Sequence, residues 1–298
     1  MRTTKGEKLF NGFNVLFMLL LSVLFLYPYL NQLAVSFNDG SDTAYGGITI
    51  FPRVWTLENY EAVLSNESFL RAAFVTVSRV VIGTASGLFV TMAAAYALLK
   101  KDLPGRNLFL TMLLIPTFIQ GGMIPNFMLF RSLDLINSFW VYIFPSMFVF
   151  YNMLVMRAYL GTIPISLEES AKLDGANSAQ ILFKLYLPLS MPVVATISLW
   201  IAVMHWNDWT TTLLYVQSSN VQTLQFMLYK ILKESELMMQ MAVERSMQSS
   251  GESAASPRIT PTSVRAATLI VSTLPIVMVY PFVQKHFVKG VMLGAIKE

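Results

Sequence analysis

The chain of 298 residues contains no cysteine, so disulfide staples, thiolate nucleophiles and cysteine-bound metals are excluded. Histidine is almost as scarce: only His205 and His286 occur, and they fall on opposite sides of the topology derived below. That leaves no histidine pair for a metal. Charge is scarce too. Asp, Glu, Lys and Arg make up 13% of the residues, about half the share usual in a soluble domain. The net charge of +4 sits in short clusters between apolar runs, not along one face, so nucleic acid is not indicated as a partner. There is no GxxxxGK[ST] phosphate loop, no HExxH, no GxSxG and no pair of carboxylates within an apolar run. An ATPase, a zinc protease and an intramembrane hydrolase all lack their machinery here.

Apolar length is what the chain has. A bilayer crossing takes about 20 mainly apolar residues as a helix, and six stretches meet that test. Their approximate limits are 10–36, 74–99, 107–130, 138–157, 186–206 and 266–284. Within these limits the second carries Arg79 in its interior and the fourth ends on Arg157; the others carry no charge. A central arginine costs about 2.5–3.5 kcal/mol on insertion scales, so Arg79 is expected to snorkel toward the nearby outer interface; a polar pathway or partner contact is the alternative. Nothing alternates in polarity as a barrel strand would. The fold class is therefore an all-α membrane protein with one transmembrane domain over 1–298. The first stretch follows Arg2, Lys5 and Lys8 as a signal peptide would. Its apolar part is too long for a signal and lacks a small-x-small cleavage site, so it reads as an uncleaved helix.

Lysine and arginine near the span ends set the orientation. The N-terminus, the segment holding Lys100, Lys101 and Arg106, the segment holding Arg157, Lys172 and Lys184, and the C-terminus share one side. The opposite side carries eleven of the seventeen acidic residues. Both termini of this multi-pass protein are expected in the cytoplasm; the resemblance given below implies a bacterial plasma membrane. Two outer segments remain. Residues 39–71 open on a Gly/Ser/Asp turn and continue in a short helix from Leu57 with Thr56 as its N-cap. Residues 207–265 contain a helix from Gln222 to Met247 and a Ser/Ala/Gly/Pro-rich loop from Ser249 to Pro261.

The charged interval 164–188 lies on the cytoplasmic side. Pro164 interrupts the preceding helix. Ser166 stands three residues before Glu169, the spacing of a capping box. The helix is expected over Leu167 to Asp174 and ends at Gly175, a residue free to take φ > 0. Asn177 and Gln180 repeat the box for a second helix running to Pro188. By local physics alone this is either a well-capped solvated loop or a docking surface.

The motif is more specific than the local physics. Glu169-Ser170-Ala171-Lys172-Leu173-Asp174-Gly175-Ala176, followed by Leu187-Pro188 and Pro192, resembles the EAA loop of binding-protein-dependent ABC importer permeases. That family reads Glu-Ala-Ala, two residues, Asp-Gly-Ala; this chain departs at Ser170. Thr56-Leu57-Glu58-Asn59-Tyr60, Trp206-Asn207-Asp208-Trp209 and the tail from Phe287 to Lys297 look like the carbohydrate-uptake branch. Within it the chain is similar to permeases for complex oligosaccharides and polysaccharide fragments, and more distantly to the shorter maltose-transport permease. The resemblance implies a type I importer architecture with six helices and a cytoplasmic two-helix coupling loop. It implies that Glu169, Ser170, Ala171, Asp174, Gly175, Ala176 and Pro188 couple to a separate ATPase dimer, which binds the ATP and magnesium. The tail residues Gly290, Gly294 and Lys297 would reach that ATPase, although the family tail commonly ends Lys-Gly and this one ends Lys297-Glu298. A second, non-identical permease and an extracytoplasmic solute-binding protein are the other implied partners, with lipid around them and no cofactor held by this chain.

Two places are candidates for contact with the cargo. Gln120-Gly121-Gly122 and Pro125-Asn126 interrupt the third apolar stretch, where freed backbone groups must face protein or water; an ordinary packing kink is the alternative. Trp206, Asn207 and Trp209 at the outer end of the fifth stretch combine flat apolar faces with hydrogen-bonding groups; an interfacial aromatic belt is the alternative. A stand-alone secondary carrier or channel is the competing function. Ion coupling usually leaves carboxylates inside the spans, and none occurs.

Overall fold

A computed structural model describes residues 4–119, 121–248 and 260–295, with the side chains of the last two helices described only in part. Among these residues the fold is helical. The nearest approach to a sheet is one isolated antiparallel bridge, Asn38 to Trp55. The chain divides into two compact units, Met1–Leu70 with Leu228–Leu274, and Arg71–Met227 with Pro275–Glu298.

In the first unit, α1 (Lys5–Ser36) starts in a capping box that adds to the two expected from spacing. The Glu7 N–H donates to the Thr4 hydroxyl at 3.3 Å, and the Thr4 N–H donates to the Glu7 carboxylate at 2.7 Å. The helix is apolar on every side and exposed within the chain, with only Ala34, Val35 and Ser36 buried. Such a surface is suited to lipid or to another apolar chain. A polar corner follows. The fully buried Asn38 donates to Asp42 (2.9 Å) and Thr43 (3.0 Å) and accepts from the Arg53 and Val54 N–H groups (2.7 and 2.9 Å). Asn59, equally buried, donates to the carbonyls of Ser36 and Asn38. These bonds organise α2 (Gly40–Ala44) and α3 (Glu58–Leu64). Thr56 is not the N-cap of α3. Leu57 holds that place, while the Thr56 hydroxyl takes the Glu58 N–H at 3.1 Å.

Among the described residues, three helices are singly long and apolar enough to cross a bilayer: α1, α4 (Glu67–Leu99) and residues Pro261–Met278 of the last helix. Three further candidates are bent pairs. In the first, α5 (Arg106–Phe118) and α6 (Met123–Ser132) meet at 118° around Gly122, whose φ is +87°. In the second, 3-10 turns over 139–146 lead at 50° into α7 (Phe150–Leu160). The fourth apolar stretch is thus far less regular than its composition suggests: Asp134 and Asn137 take positive φ just before it, and Pro145 removes a donor within it.

The third pair corrects the start of the fifth stretch. After α8 (Ile165–Leu173), the chain forms α9 (Ser178–Gln180), a π segment (Ile181–Tyr186) and α10 (Leu187–Leu189), then turns 88° at Ser190 into α11 (Met191–Asn207). Pro188 and Pro192 explain the break: neither can donate to the carbonyl four residues back. Beyond α11 come α12 (Thr210–Tyr215), a 3-10 turn at 219–221, α13 (Leu224–Gln248) and α14 (Pro261–Ala295). Most of the expected Ser249–Pro261 loop lies outside the described residues.

The second unit packs on two apolar clusters. Met92, Ala95, Tyr96, Met153, Met156, Leu160, Ile181 and Ile197 form the larger; Val75, Val141, Tyr142, Ile143, Tyr215 and Val216 form the smaller. α4 and α11 approach closely through Gly83 and Gly87. A Cβ on Gly83 would overlap the His205 ring, with Cδ2 only 2.6 Å away, whereas one on Gly87 would meet Ile201 at an ordinary 3.4 Å. Gly83→Ala is therefore expected to destabilise by about 1–3 kcal/mol through overpacking. Gly87→Ala is expected to be neutral or better, since alanine favours helix by roughly 1 kcal/mol. Thermal unfolding of the two purified variants checks the contrast.

Candidate functional site

The bend between α8 and α9 is built by two local devices. At the C-terminus of α8, Gly175 takes φ +80°. Its N–H donates to the Lys172 carbonyl at 3.0 Å, and the Ala176 N–H reaches back to the Ala171 carbonyl at 2.9 Å. That pair of bonds is a Schellman motif, closed by the two alanines. Asn177 then caps α9: its side chain takes the Gln180 N–H, and the Gln180 side chain takes the Asn177 N–H, both at 2.9 Å. The capping box expected at Ser166 and Glu169 does not form. Pro164, with ψ 129°, occupies the N-cap, which puts Ser166 two positions too deep for its hydroxyl to cap a free N–H.

Glu169, Ser170, Asp174, Gly175 and Pro188 are exposed, while Ala171 and Ala176 are half-buried. The bend encloses an open concavity of about 400 Å³, lined by Ala171, Asp174, Gly175, Ala176, Gln180, Ile181, Lys184 and Leu185. Its floor is apolar and its rim polar.

Glu168, beside the motif, is a site residue that the sequence did not single out. It is 4% exposed. Lys100, just beyond α4, donates to its Oε1, and Lys172 pairs with the same oxygen at 2.9 Å. The Tyr186 hydroxyl donates to Oε2 at 2.8 Å. Burial alone would raise the Glu168 pKa, but these three donors pull it down to about 2. A depressed carboxylate contributes stability that is whole above its ordinary value of 4.5 and lost as the pH falls toward 2. The i,i+4 spacing to Lys172 was the one available sequence signal.

A second ionic group lies where α4 meets the end of α11. Arg79 does not snorkel; its side chain is 2% exposed. It pairs with the Asp208 carboxylate, donates to the Asp208 carbonyl at 2.9 Å and to His205 Nδ1 at 3.3 Å, and stacks 4.4 Å over the Tyr142 ring. Asp208 is held in turn by the Thr211 N–H and hydroxyl, at 3.1 and 2.5 Å. Tyr142 continues the network to the Val221 carbonyl (2.7 Å) and Thr212 (3.0 Å). The buried cation is thus fully engaged by protein, which is the arrangement its insertion cost demands.

Among the other candidates, Trp206 and Trp209 are half-buried and Asn207 and Asn126 exposed. Gln120 and Lys297 lie outside the described residues. Gly290 and Gly294 fall within α14. Among the described residues, no three His, Asp or Glu side chains gather to hold a metal.

The sequence matches the family described as "Binding-protein-dependent transport system inner membrane component" over residues 83–293. Protein LplC of Bacillus subtilis is 35% identical across all of this chain and 98% of its own length. The polygalacturonan/rhamnogalacturonan transport system permease protein YtcP of the same organism is 34% identical across 94% of this chain and 96% of its own. A crystal structure of a bacterial ABC transporter involved in the import of the acidic polysaccharide alginate contains a chain that superposes with a TM-score of 0.85 at 26% identity, over 96% of this chain and 99% of that one. This chain belongs to the family of binding-protein-dependent transport system inner membrane components: it is a membrane-embedded transport subunit of an ABC importer and not an enzyme.

Proposed function

We propose that the chain imports an oligosaccharide, and that it does so as one of two non-identical permeases driven by a separate ATPase dimer. The observation that carries the mechanical part is the α8–α9 pair, bent by a Schellman glycine and recapped by Asn177, with Glu169, Ser170, Asp174 and Gly175 exposed. In this reading the exposed face of α8 docks on the ATPase through Glu169, Ser170, Asp174 and Gly175. ATP and magnesium stay with that partner. The six apolar stretches form six crossings, three of them broken, with the α8–α9 pair and both termini in the cytoplasm. Gly290, Gly294 and Lys297 extend toward the ATPase. Closure of the ATPase pair displaces α8, and the helices joined to it alternate access toward a solute-binding protein outside.

Similarity to a polygalacturonan/rhamnogalacturonan permease, to a galactooligosaccharide permease and to the alginate importer supports carbohydrate as the cargo class. Cargo would pass Asn126 and the broken α5–α6 region with Gln120, and the outer group Trp206, Asn207 and Trp209. A buried aromatic face can cover a sugar ring while amides take its hydroxyls.

Reconstitution tests the reading. Proteoliposomes holding the chain, its second permease and its ATPase are expected to take up labelled oligosaccharide only with ATP and the binding protein. Trp206→Ala is expected to slow uptake while the ATPase still co-purifies. Uptake by the chain alone, or driven by an ion gradient, would instead mark a stand-alone carrier or channel.

A further inference from the structure

We propose that Glu168 is a positioning residue for force transmission: its buried carboxylate ties α8 to the end of α4 through Lys100 and to the π segment through Tyr186, so that these elements move as one body. The inference rests on the reading of α8 as the helix that docks on the ATPase.

A docking helix is useful only if its displacement reaches the helices in the membrane. The backbone route from α8 toward α7 passes Gly161, Thr162, Ile163 and Pro164. The route toward α11 passes Gly175, the π segment and the 88° turn at Ser190. Both routes contain breaks that can absorb motion. α4 has no sequence neighbour near α8 at all; Lys100 and Glu168 are 68 residues apart. The carboxylate of Glu168 bridges this gap from the inward face of α8, while Glu169 points outward from the same turn.

The surroundings make the junction stiff. Lys100 Nζ also lies 4.4 Å over the Tyr96 ring, and the Tyr96 and Tyr186 rings pack 5.2 Å apart at 59°. Tyr96 belongs to α4, and Tyr186 ends the π segment. The π segment closes each hydrogen-bonded loop with one residue more than an α-helix, a local rephasing often found at functional sites. Here it ends on the side chain that reaches Glu168 Oε2. Two cations on Oε1 and a phenol on Oε2 hold the carboxylate from three sides, so α8 cannot slide independently without breaking one of these bonds.

The distinction from simple docking gives the test. Lys100→Met leaves Glu168 with Lys172 and Tyr186 and so preserves the fold. In the reconstituted importer, Lys100→Met and Glu168→Gln are expected to keep the ATPase bound. Lys100→Met is also expected to stay folded and to melt somewhat lower, since a buried carboxylate loses one of its three donors. In both variants, sugar imported per ATP hydrolysed is expected to fall about tenfold. Because the chain has no cysteine, Lys100→Cys with Glu168→Cys introduces its only two thiols. That double variant should be uncoupled as isolated and regain import per ATP when a short bifunctional maleimide joins the two positions. A merely stabilising contact would shift the melting temperature and leave the stoichiometry alone. Unaltered stoichiometry in Lys100→Met, or a linked double variant no better coupled than the unlinked one, overturns the proposal. Failure of the docking reading has its own signature, since Gly175→Val would then keep its ATPase, and the joint would fall with it.

Discussion

Arg79→Ala yields a protein that unfolds well below the unmodified chain and accumulates poorly. Removing one partner of a buried ion pair costs about 3–5 kcal/mol, because the other is left charged and unpaired. The lower part of that range applies, since Asp208 keeps 23% of its side-chain surface and two bonds from Thr211. The loss is spread over three segments. Arg79 holds the Asp208 carboxylate and carbonyl, is oriented by His205, and covers the Tyr142 ring. Arg79→Lys recovers only part of it, because one ammonium cannot reproduce the planar fork. The double variant Arg79→Met with Asp208→Leu loses less than the two single changes together. Thermal unfolding in detergent across these variants reads the effect. An Arg79→Ala protein as stable as the original would mean that the guanidinium sits at the lipid interface, where truncation is cheap.

Gly175→Val abolishes uptake and ATPase association while leaving the chain inserted. No atom lies within 4 Å of a Cβ built on Gly175, so the substitution meets no steric obstacle from neighbours. The whole effect comes from φ +80°, a conformation that costs a non-glycine residue on the order of 1–3 kcal/mol and a β-branched one the most. The chain relieves it by leaving the left-handed region. Both Schellman bonds then open, and Asn177 no longer starts α9 in the same direction. Gly175→Asn keeps most activity, since asparagine tolerates that conformation. Co-purification of the ATPase and uptake in vesicles decide the matter, and full transport by the valine variant would sink the docking reading.

Features written locally were legible without coordinates. Gly175 and Asn177–Gln180 act within four residues of themselves, so spacing was enough to place a Schellman end and a capping box. Thr4 and Glu7 obey the same rule, with the same three-residue spacing. Ser166–Glu169 matched the pattern and still failed, because Pro164 had already set the helix start. The apolar stretches foretold helices but not their breaks. Composition says nothing of the positive φ at Asp134 and Asn137, or of how Pro188 and Pro192 combine into an 88° turn.

By itself the sequence determined that this is a helical membrane protein without catalytic machinery, and that its charged interval carries a glycine bend, since hydrophobic length, residue absence and backbone freedom are local quantities. Only the tertiary structure decided which charges are buried. Arg79 meets Asp208 across 129 residues and Glu168 meets Lys100 across 68. Whether an ion is stranded or satisfied depends on what the fold brings within about 3 Å of it, and that distance has no counterpart along the chain.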